Sequence, residues 1–367
     1  MALKILTITC HNVYNHGASL QQFALLEYLK SLGYDAQTIN YKPFYFSNHF
    51  NYLAIDNPRF KKNIILKTLY ILMKFPMRFA ERKRKVNFDS FENNNFKILP
   101  KKYSSNQELK DDLPIADAYI CGSDQIWNSY FENGKDPAFY LDFVPENAKK
   151  ISYAASFAID EIEENLKPFV KEKIQRINHI SVRETSAKKI VENLGIANIT
   201  QVLDPVFLIN EEVWRERFVT KIEEKFVFIY DFDSNPIIEK LAKELAQKNN
   251  FKIYTVNKNI KYADKNFFLE GPEKFLSLMD SAQYVITNSF HSVAFSLVFN
   301  KQFIVVNRTE AINTRMRDLL GLFNLSNLLV SSDFTISDIK TINFEEANRL
   351  KIEAIVKSKA FLQEALL

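Results

Sequence analysis

Short apolar runs rich in β-branched and aromatic residues alternate along the chain with longer segments whose apolar positions recur at helical spacing. By period, the first kind are parallel strands buried on both faces, and the second are helices with one face toward a core. Residues 3–9 (LKILTIT) make a first strand and residues 36–41 a second. Between them, residues 18–32 make a helix with Leu20, Phe23, Ala24, Leu26 and Leu29 on its inner side and Gly33 as its stop. Strands are expected again at 117–121, 151–158, just before Arg183, and at 199–208, where Pro205 is the stop, with a charged helix over 162–177.

After Trp214 the alternation restarts: FVFIY at 226–230, a helix over 236–247, a strand over 251–256 and a helix over 272–280. Residues 283–306 (QYVITNSFHSVAFSLVFNKQFIVV) then read as strand, tight loop, helix and strand. Residues 344–367 read as one long helix. Alternation of this kind builds open parallel sheets covered by helices. The chain is therefore expected to be an α/β protein with two Rossmann-like, doubly wound domains, residues 1–212 and 213–330. Residues 331–367 are expected to pack back across the first.

At 367 residues, 47% hydrophobic and 25% charged, the chain has the makings of a soluble globular protein with two cores. Its two cysteines, Cys10 and Cys121, each end an expected strand and follow no secretory signal, which fits reduced thiols in a cytoplasmic protein. The net charge of +4 is local: residues 59–85 hold ten basic residues and one acid, and the remainder carries 38 Lys and Arg against 43 Asp and Glu. The insertion over 59–86 mixes these charges with large apolar residues, and Pro76 is expected to interrupt its helix. Its apolar stretches are far shorter than the roughly 20 residues that span a bilayer. Two readings stand: a basic amphipathic helix on the inner face of the cytoplasmic membrane, or a helix packed on its own domain with a solvated basic face. Nucleic acid is not an expected partner, because the rest of the chain is acidic and no binding motif accompanies the patch.

Candidate chemistry gathers at strand ends, where open parallel sheets bind ligands. His291 falls in a first helical turn beside Ser289 and Ser292, where free N–H groups and the helix dipole favour an anion by roughly 0.3–1 kcal/mol per exposed charge. The alternative is that Asn288 or Ser289 only caps the helix and His291 points to solvent. Gly17, one of seven glycines, lies where the first strand turns into the first helix, but no GxGxxG dinucleotide fingerprint surrounds it. Residues 122–128 (GSDQIWN) follow a strand and offer Asp124 as a general base by position, or else a solvated Asx-turn. Arg183 and Glu184 follow another strand, where a guanidinium can clamp a carboxylate or phosphate or pair at the surface.

Taken together, NHGASLQ at 15–21, GSDQIWN at 122–128, SYAASF at 152–157, SVRE at 181–184, LDPVFL at 203–208 and NSFHSVAF at 288–295 resemble, in order and spacing, the polysaccharide pyruvyl transferase family. The likeness spans residues 4–325. It implies two Rossmann-like halves facing across a cleft, similar to the GT-B arrangement of glycosyltransferases, with the acceptor on the N-terminal side and the donor on the C-terminal side. It also implies phosphoenolpyruvate as donor and a sugar diol of a capsule or exopolysaccharide, or of its lipid-linked precursor, as acceptor. The product is a cyclic pyruvate ketal, formed with no redox cofactor and no metal. Many family members carry Arg-Leu-His where this chain has Ser289, Phe290 and His291, so the histidine matches and the arginine does not; Arg183 or Arg308 are the substitutes.

On this basis His291 serves the donor as acid or phosphate contact, with Arg183, Asn288, Ser289, Ser292 and Arg308 around it, and Asp124 accepts the acceptor's hydroxyl proton. Asn15, His16, Gly17, Gln21, Ser123, Gln125, Trp127 and Ser156 line the acceptor side, and residues 44–52 with the loops after 128 and 257 shape its pocket. Two other classes fit the same pattern: a sugar-nucleotide glycosyltransferase of GT-B type, and a non-catalytic glycan-binding or scaffold protein of a capsule pathway. Polar residues at five strand ends speak against the scaffold, which needs none of them.

Overall fold

The computed structural model describes residues 2–46, 50–55, 57–309 and 313–367. Seven strands, β1 (Lys4–Ile8), β2 (Asp35–Tyr41), β3 (Ile98–Tyr103), β4 (Ala118–Cys121), β5 (Lys149–Ala155), β6 (His179–Val182) and β7 (Ile199–Gln201), form one sheet in the order β3-β2-β1-β4-β5-β6-β7. Six more, β8 (Phe226–Tyr230), β9 (Lys252–Thr255), β10 (Lys265–Asn266), β11 (Tyr284–Thr287), β12 (Phe303–Val306) and β13 (Leu329–Val330), form the other in the order β10-β9-β8-β11-β12-β13. Every recorded pairing is parallel. The order of winding reverses between β1 and β4 in the first sheet and between β8 and β11 in the second. These switch points open crevices at the strands' carboxyl ends.

Three segments depart from their sequence pattern. The strand expected over 199–208 ends at Gln201, because Asp204 Oδ1 accepts from the Val206 N–H at 3.1 Å and closes a 3₁₀ turn over Pro205–Phe207. The helix Ile64–Ala80 runs through Pro76 instead of breaking there. Leu72 and Pro76 both face outward, so water can take the carbonyl that the missing N–H leaves free. The charged helix expected over 162–177 shortens to Lys167–Ile174, entered by a 3₁₀ turn with a proline in its first turn. Polar β3 (ILPKKY), a half-exposed edge strand, carried too little apolar pattern to be read from sequence.

One continuous apolar cluster runs through both halves. Phe23 of the helix His16–Ser31 meets Trp214 at 5.4 Å between ring centres, and Trp214 meets Phe295 at 5.2 Å. The two sheets are thus joined by core. The helix Glu345–Leu366 touches both: its Ser358 Oγ accepts from the Leu203 N–H at 2.9 Å, and Lys351 Nζ donates to the Leu297 carbonyl at 2.7 Å.

Trp127 does not line a cleft. It is fully buried, stacked on Tyr140 at 5.4 Å with 3° between the ring planes, and its indole N–H donates to the Phe139 carbonyl at 3.0 Å. A large ring with a satisfied N–H is core material, which removes Trp127 from the acceptor side. Replacing Trp127 by phenylalanine leaves that buried carbonyl without its donor and should cost about 1–3 kcal/mol in urea unfolding. An unchanged midpoint would contradict the core assignment.

Candidate active site

The loops after β1 and β4 meet at the first switch point, and a set of buried polar side chains holds them together. Gln21 Nε2 donates to Thr9 Oγ1 at 3.2 Å, Gln21 Oε1 accepts from the Ser123 N–H at 3.2 Å, and Thr9 Oγ1 donates to the Ser123 carbonyl at 3.0 Å. Ser123 Oγ lies 3.0 Å from the Ala154 carbonyl and 3.3 Å from Asp204 Oδ2. Ser156 Oγ donates to Glu184 Oε1 at 2.5 Å, and its N–H donates to the Asp124 carbonyl at 3.1 Å. Gln21, Ser123 and Ser156 are wholly buried and bonded to protein. They position the loop and do not contact an acceptor.

Asp124 is what this scaffold presents. Its backbone is held at φ +68°, its side chain keeps 17% exposure, and its Oδ1 lies 4.0 Å from both Arg183 Nη2 and Arg315 Nη1. Gln125 follows it; with its amide oxygen turned toward Arg315, it accepts from Nη1 and Nη2 at 3.0 Å. Asn15 caps the first helix, accepting from the Ala18 N–H at 3.2 Å. His16 sits fully buried between the halves, with Nδ1 3.2 Å from the Tyr230 hydroxyl and Nε2 3.3 Å from the Glu270 carbonyl. Burial, with Arg84 nearby, pushes its pKa well below 6.5, so the ring is neutral and serves the contact between halves, not the acceptor.

Arg183 anchors the charged centre. Its Nη1 donates to Asp204 Oδ2 at 2.6 Å and its Nε to Glu184 Oε1 at 3.1 Å, while its guanidinium carbon lies 4.1 Å from the centre of the Phe290 ring. Burial opposes its charge, but Glu184, Asp204 and Asp124 outweigh it and raise its pKa. Burial likewise pushes Glu184 up, against the pull of Arg183. Asp204 is fully buried, yet His291 and Arg183 hold its carboxyl below the ordinary range. His291 Nε2 lies 3.6 Å from Asp204 Oδ2. A methyl group built on Gly17 would overlap the His291 imidazole, so Gly17 admits the ring from across the interface.

On the C-terminal side several expected donor contacts are already engaged. The Asn288 amide donates to Asp231 at 2.9 Å and Asp233 at 2.5 Å and accepts from the Phe232 N–H at 2.9 Å, with no surface exposed. It ties the loops after β8 and β11 and is not a donor contact. Ser292 is fully buried, its hydroxyl against Met279 Sδ at 3.5 Å. Ser289 starts the helix Phe290–Val298 but its side chain makes no cap bond. Arg308 donates through Nε to the Asn288 carbonyl at 3.1 Å and lies 3.7 Å over the Phe232 ring.

Residues 15–310 match the family profile "Polysaccharide pyruvyl transferase". The chain belongs to the polysaccharide pyruvyl transferase family. As a pyruvyl transferase family member it is a transferase of polysaccharide biosynthesis. No curated protein matches it in sequence. Among solved structures it is similar to UDP-N-acetylglucosamine 2-epimerase from Rickettsia bellii, with 11% identity and a TM-score of 0.52 over 99% of this chain and 96% of that one. It is similar also to Arabidopsis thaliana UGT89C1 in complex with UDP-L-rhamnose, with 11% identity and a TM-score of 0.53 over 100% and 98%. These likenesses show the fold, two Rossmann-like domains in the GT-B arrangement.

The structure adds two residues to this family member's candidate site. Asp204 stood in the LDPVFL motif, but only the turn at Pro205–Phe207 aims it at Arg183 and His291. Arg315 had no local signal: it lies two residues from Arg317, which pairs on the surface with Asp160 at 2.7 Å, whereas Arg315 is 6% exposed and faces Asp124. Burial, with Arg183 beside it, pushes the Arg315 pKa down, the mark of a cation with too little countercharge. Arg183 Nη2, Arg315 Nε and His291 Nε2 have no hydrogen-bond partner, nor has Glu184 Oε2. Both cysteines are free thiols, and among the described residues no three His, Cys, Asp or Glu side chains are grouped to hold a metal ion.

Gly17→Ala is expected to displace the His291 ring and lower turnover at least tenfold; the far-UV spectrum should stay close to wild type and the overpacking should cost about 1–3 kcal/mol in stability. Wild-type turnover in this variant would refute the role of the contact.

Proposed function

We propose that this chain transfers the pyruvyl group of phosphoenolpyruvate to two hydroxyls of a sugar, forming a cyclic ketal and releasing phosphate. One observation carries the reading: Arg183, Arg315 and His291 gather around Asp124 and Asp204 where the halves meet, and each keeps a buried nitrogen without a hydrogen bond. A buried donor left unmade costs roughly 1–3 kcal/mol, and an anion with several oxygens would satisfy all three at once. Phosphoenolpyruvate carries a carboxylate and a phosphate close together. Arg315 supplies the cation that the family's arginine position lacks here, with Arg183 beside it and Arg308 behind.

The chemistry follows from the same groups. A proton delivered by His291 to the enol methylene makes C2 oxocarbenium-like. The first sugar hydroxyl adds to C2 as Asp124 takes its proton; the C2–O bond to phosphate breaks, phosphate leaving with the electron pair and with the proton from Asp124, and the second hydroxyl adds to C2 and closes the ring as His291 takes back a proton from it. Asp204, 3.6 Å from His291 Nε2, fixes the direction of the imidazole. No redox change occurs in this sequence.

For the acceptor we favour the cavity of about 470 Å³ beside the loop after β1, lined by Asn12, Tyr14, Lys42, Phe50, Asp89 and Glu92 among others. Tyr14 and Phe50, edge to face at 4.3 Å, offer apolar faces to a sugar ring, and the amide and carboxylates offer partners to its hydroxyls. A lipid-linked sugar or the polysaccharide itself would present the same diol.

The test is phosphate release from phosphoenolpyruvate with and without a panel of sugar acceptors, with the product weighed by mass spectrometry. Acceptor-dependent release is expected, with a product heavier by pyruvate less water. His291→Ala should lose roughly 10²–10⁴-fold in turnover, the range of one acid–base group. Arg315→Met should act mainly on the KM for the donor. Silence across the panel together with a thermal shift on a sugar nucleotide would overturn the reading in favour of a glycosyltransferase.

Burial, with Asp89 beside it, pushes the Glu92 pKa from 4.5 up to about 7. Between those values the folded chain holds a proton that the unfolded chain has lost, so this group's contribution to stability falls as pH rises through that window. Glu92→Gln should flatten the pH dependence of the unfolding midpoint between about pH 4.5 and 7. An unaltered slope would refute the shift.

A further inference from the structure

The helix Ile64–Ala80 is turned inside out relative to an ordinary surface helix. Soluble helices bury an apolar stripe and expose charge. Here Tyr70 and Arg78 are the buried positions, Arg78 donating to the Tyr52 carbonyl at 3.1 Å and the Ala54 carbonyl at 2.9 Å, and half-buried Lys67 and Lys74 share their side at helical spacing. The outward face is apolar: Ile64 is 74% exposed, Ile65 75%, Leu72 64%, Met73 62% and Phe79 57%, and Phe75 lies stacked with Phe79 at 6.0 Å. Isolated exposed apolar residues need no explanation, but a contiguous face of them marks an interaction surface. Within the helix it is therefore the basic side that faces the protein and the apolar side that faces outward.

We propose that this face docks on an anionic lipid surface, with the helix lying in the plane of the interface. The charge around it selects that occupant. Arg59, Lys61 and Lys62 are exposed just before the helix and Arg82 just after it, so both ends of the apolar face carry positive charge. Anionic headgroups complement that pattern, whereas a second copy of the chain laid on the same face would bring basic ends against one another. No described helix is long and apolar enough to cross a membrane, and at 17 residues this one is about 25 Å long, suited to lying at the boundary of headgroups and acyl chains. The proposal stands apart from the choice of donor; it bears on the acceptor only in that a lipid-linked sugar would be presented at the same surface.

The test is co-sedimentation of the full chain with vesicles of phosphatidylcholine alone and of phosphatidylcholine mixed with phosphatidylglycerol, beside analytical ultracentrifugation without lipid. Wild type is expected to sediment with the mixed vesicles at least tenfold more than with the neutral ones. The triple variant Ile65→Ser, Leu72→Ser, Phe79→Ser should lose at least tenfold in vesicle binding while keeping the wild-type far-UV spectrum and a cooperative unfolding transition, since all three side chains are more than half exposed. Binding of the variant equal to wild type, absence of wild-type binding to either vesicle, or a lipid-free dimer abolished by the triple variant would each overturn the proposal.

Discussion

A carboxylate removed from water must be matched by donors, and the match made for Asp204 holds the candidate site together. Ser123 and Arg183, from the same half, take Oδ2 at 3.3 and 2.6 Å, and His291, from the other half, approaches it at 3.6 Å. The last approach is possible only because Gly17 has no side chain where the imidazole lies. The geometry of the charged centre is therefore a property of how the two halves meet. The apolar core that Phe23, Trp214 and Phe295 carry across the interface keeps that meeting tight.

Around this centre the polar residues divide into two populations. Gln21, Ser123, Ser156 and Asn288 are buried and bonded to protein, and they fix the loops at the two switch points. Arg183 Nη2, Arg315 Nε and His291 Nε2 are buried with no hydrogen bond. Rigid support behind unsatisfied donors is the condition for binding an anion without reorganisation, since the cost of aiming the donors is met in folding. The two arginines tolerate each other because Asp124, Glu184 and Asp204 stand among them.

The helix Ile64–Ala80 shows how one segment can satisfy a pattern in two opposite ways. Its apolar and basic residues segregate around the axis whichever face is turned inward. Arg78 settles the choice, because a guanidinium held by the Tyr52 and Ala54 carbonyls points the basic side at the protein and leaves the apolar side outward.

The alternation of strand and helix, the two restarting α/β units and the strand ends that carry chemistry were all legible in the sequence. Each is written in local period: two-sided apolar runs, helical spacing, and turn residues between them. The resemblance to the family was legible for the same reason, since its motifs sit on those strand ends. Which strand-end residues face a ligand was not. Trp127 and Gln125 lie two residues apart on one loop, and only the packing of Tyr140 sends the indole inward. Arg315 and Arg317 share one helix, yet one faces Asp124 and the other Asp160. Gly17 reads locally as a turn glycine, and its partner His291 is supplied by the other domain. Local sequence sets what an element is, whereas the partners of a side chain across an interface follow from the summed packing of both halves, which no period records.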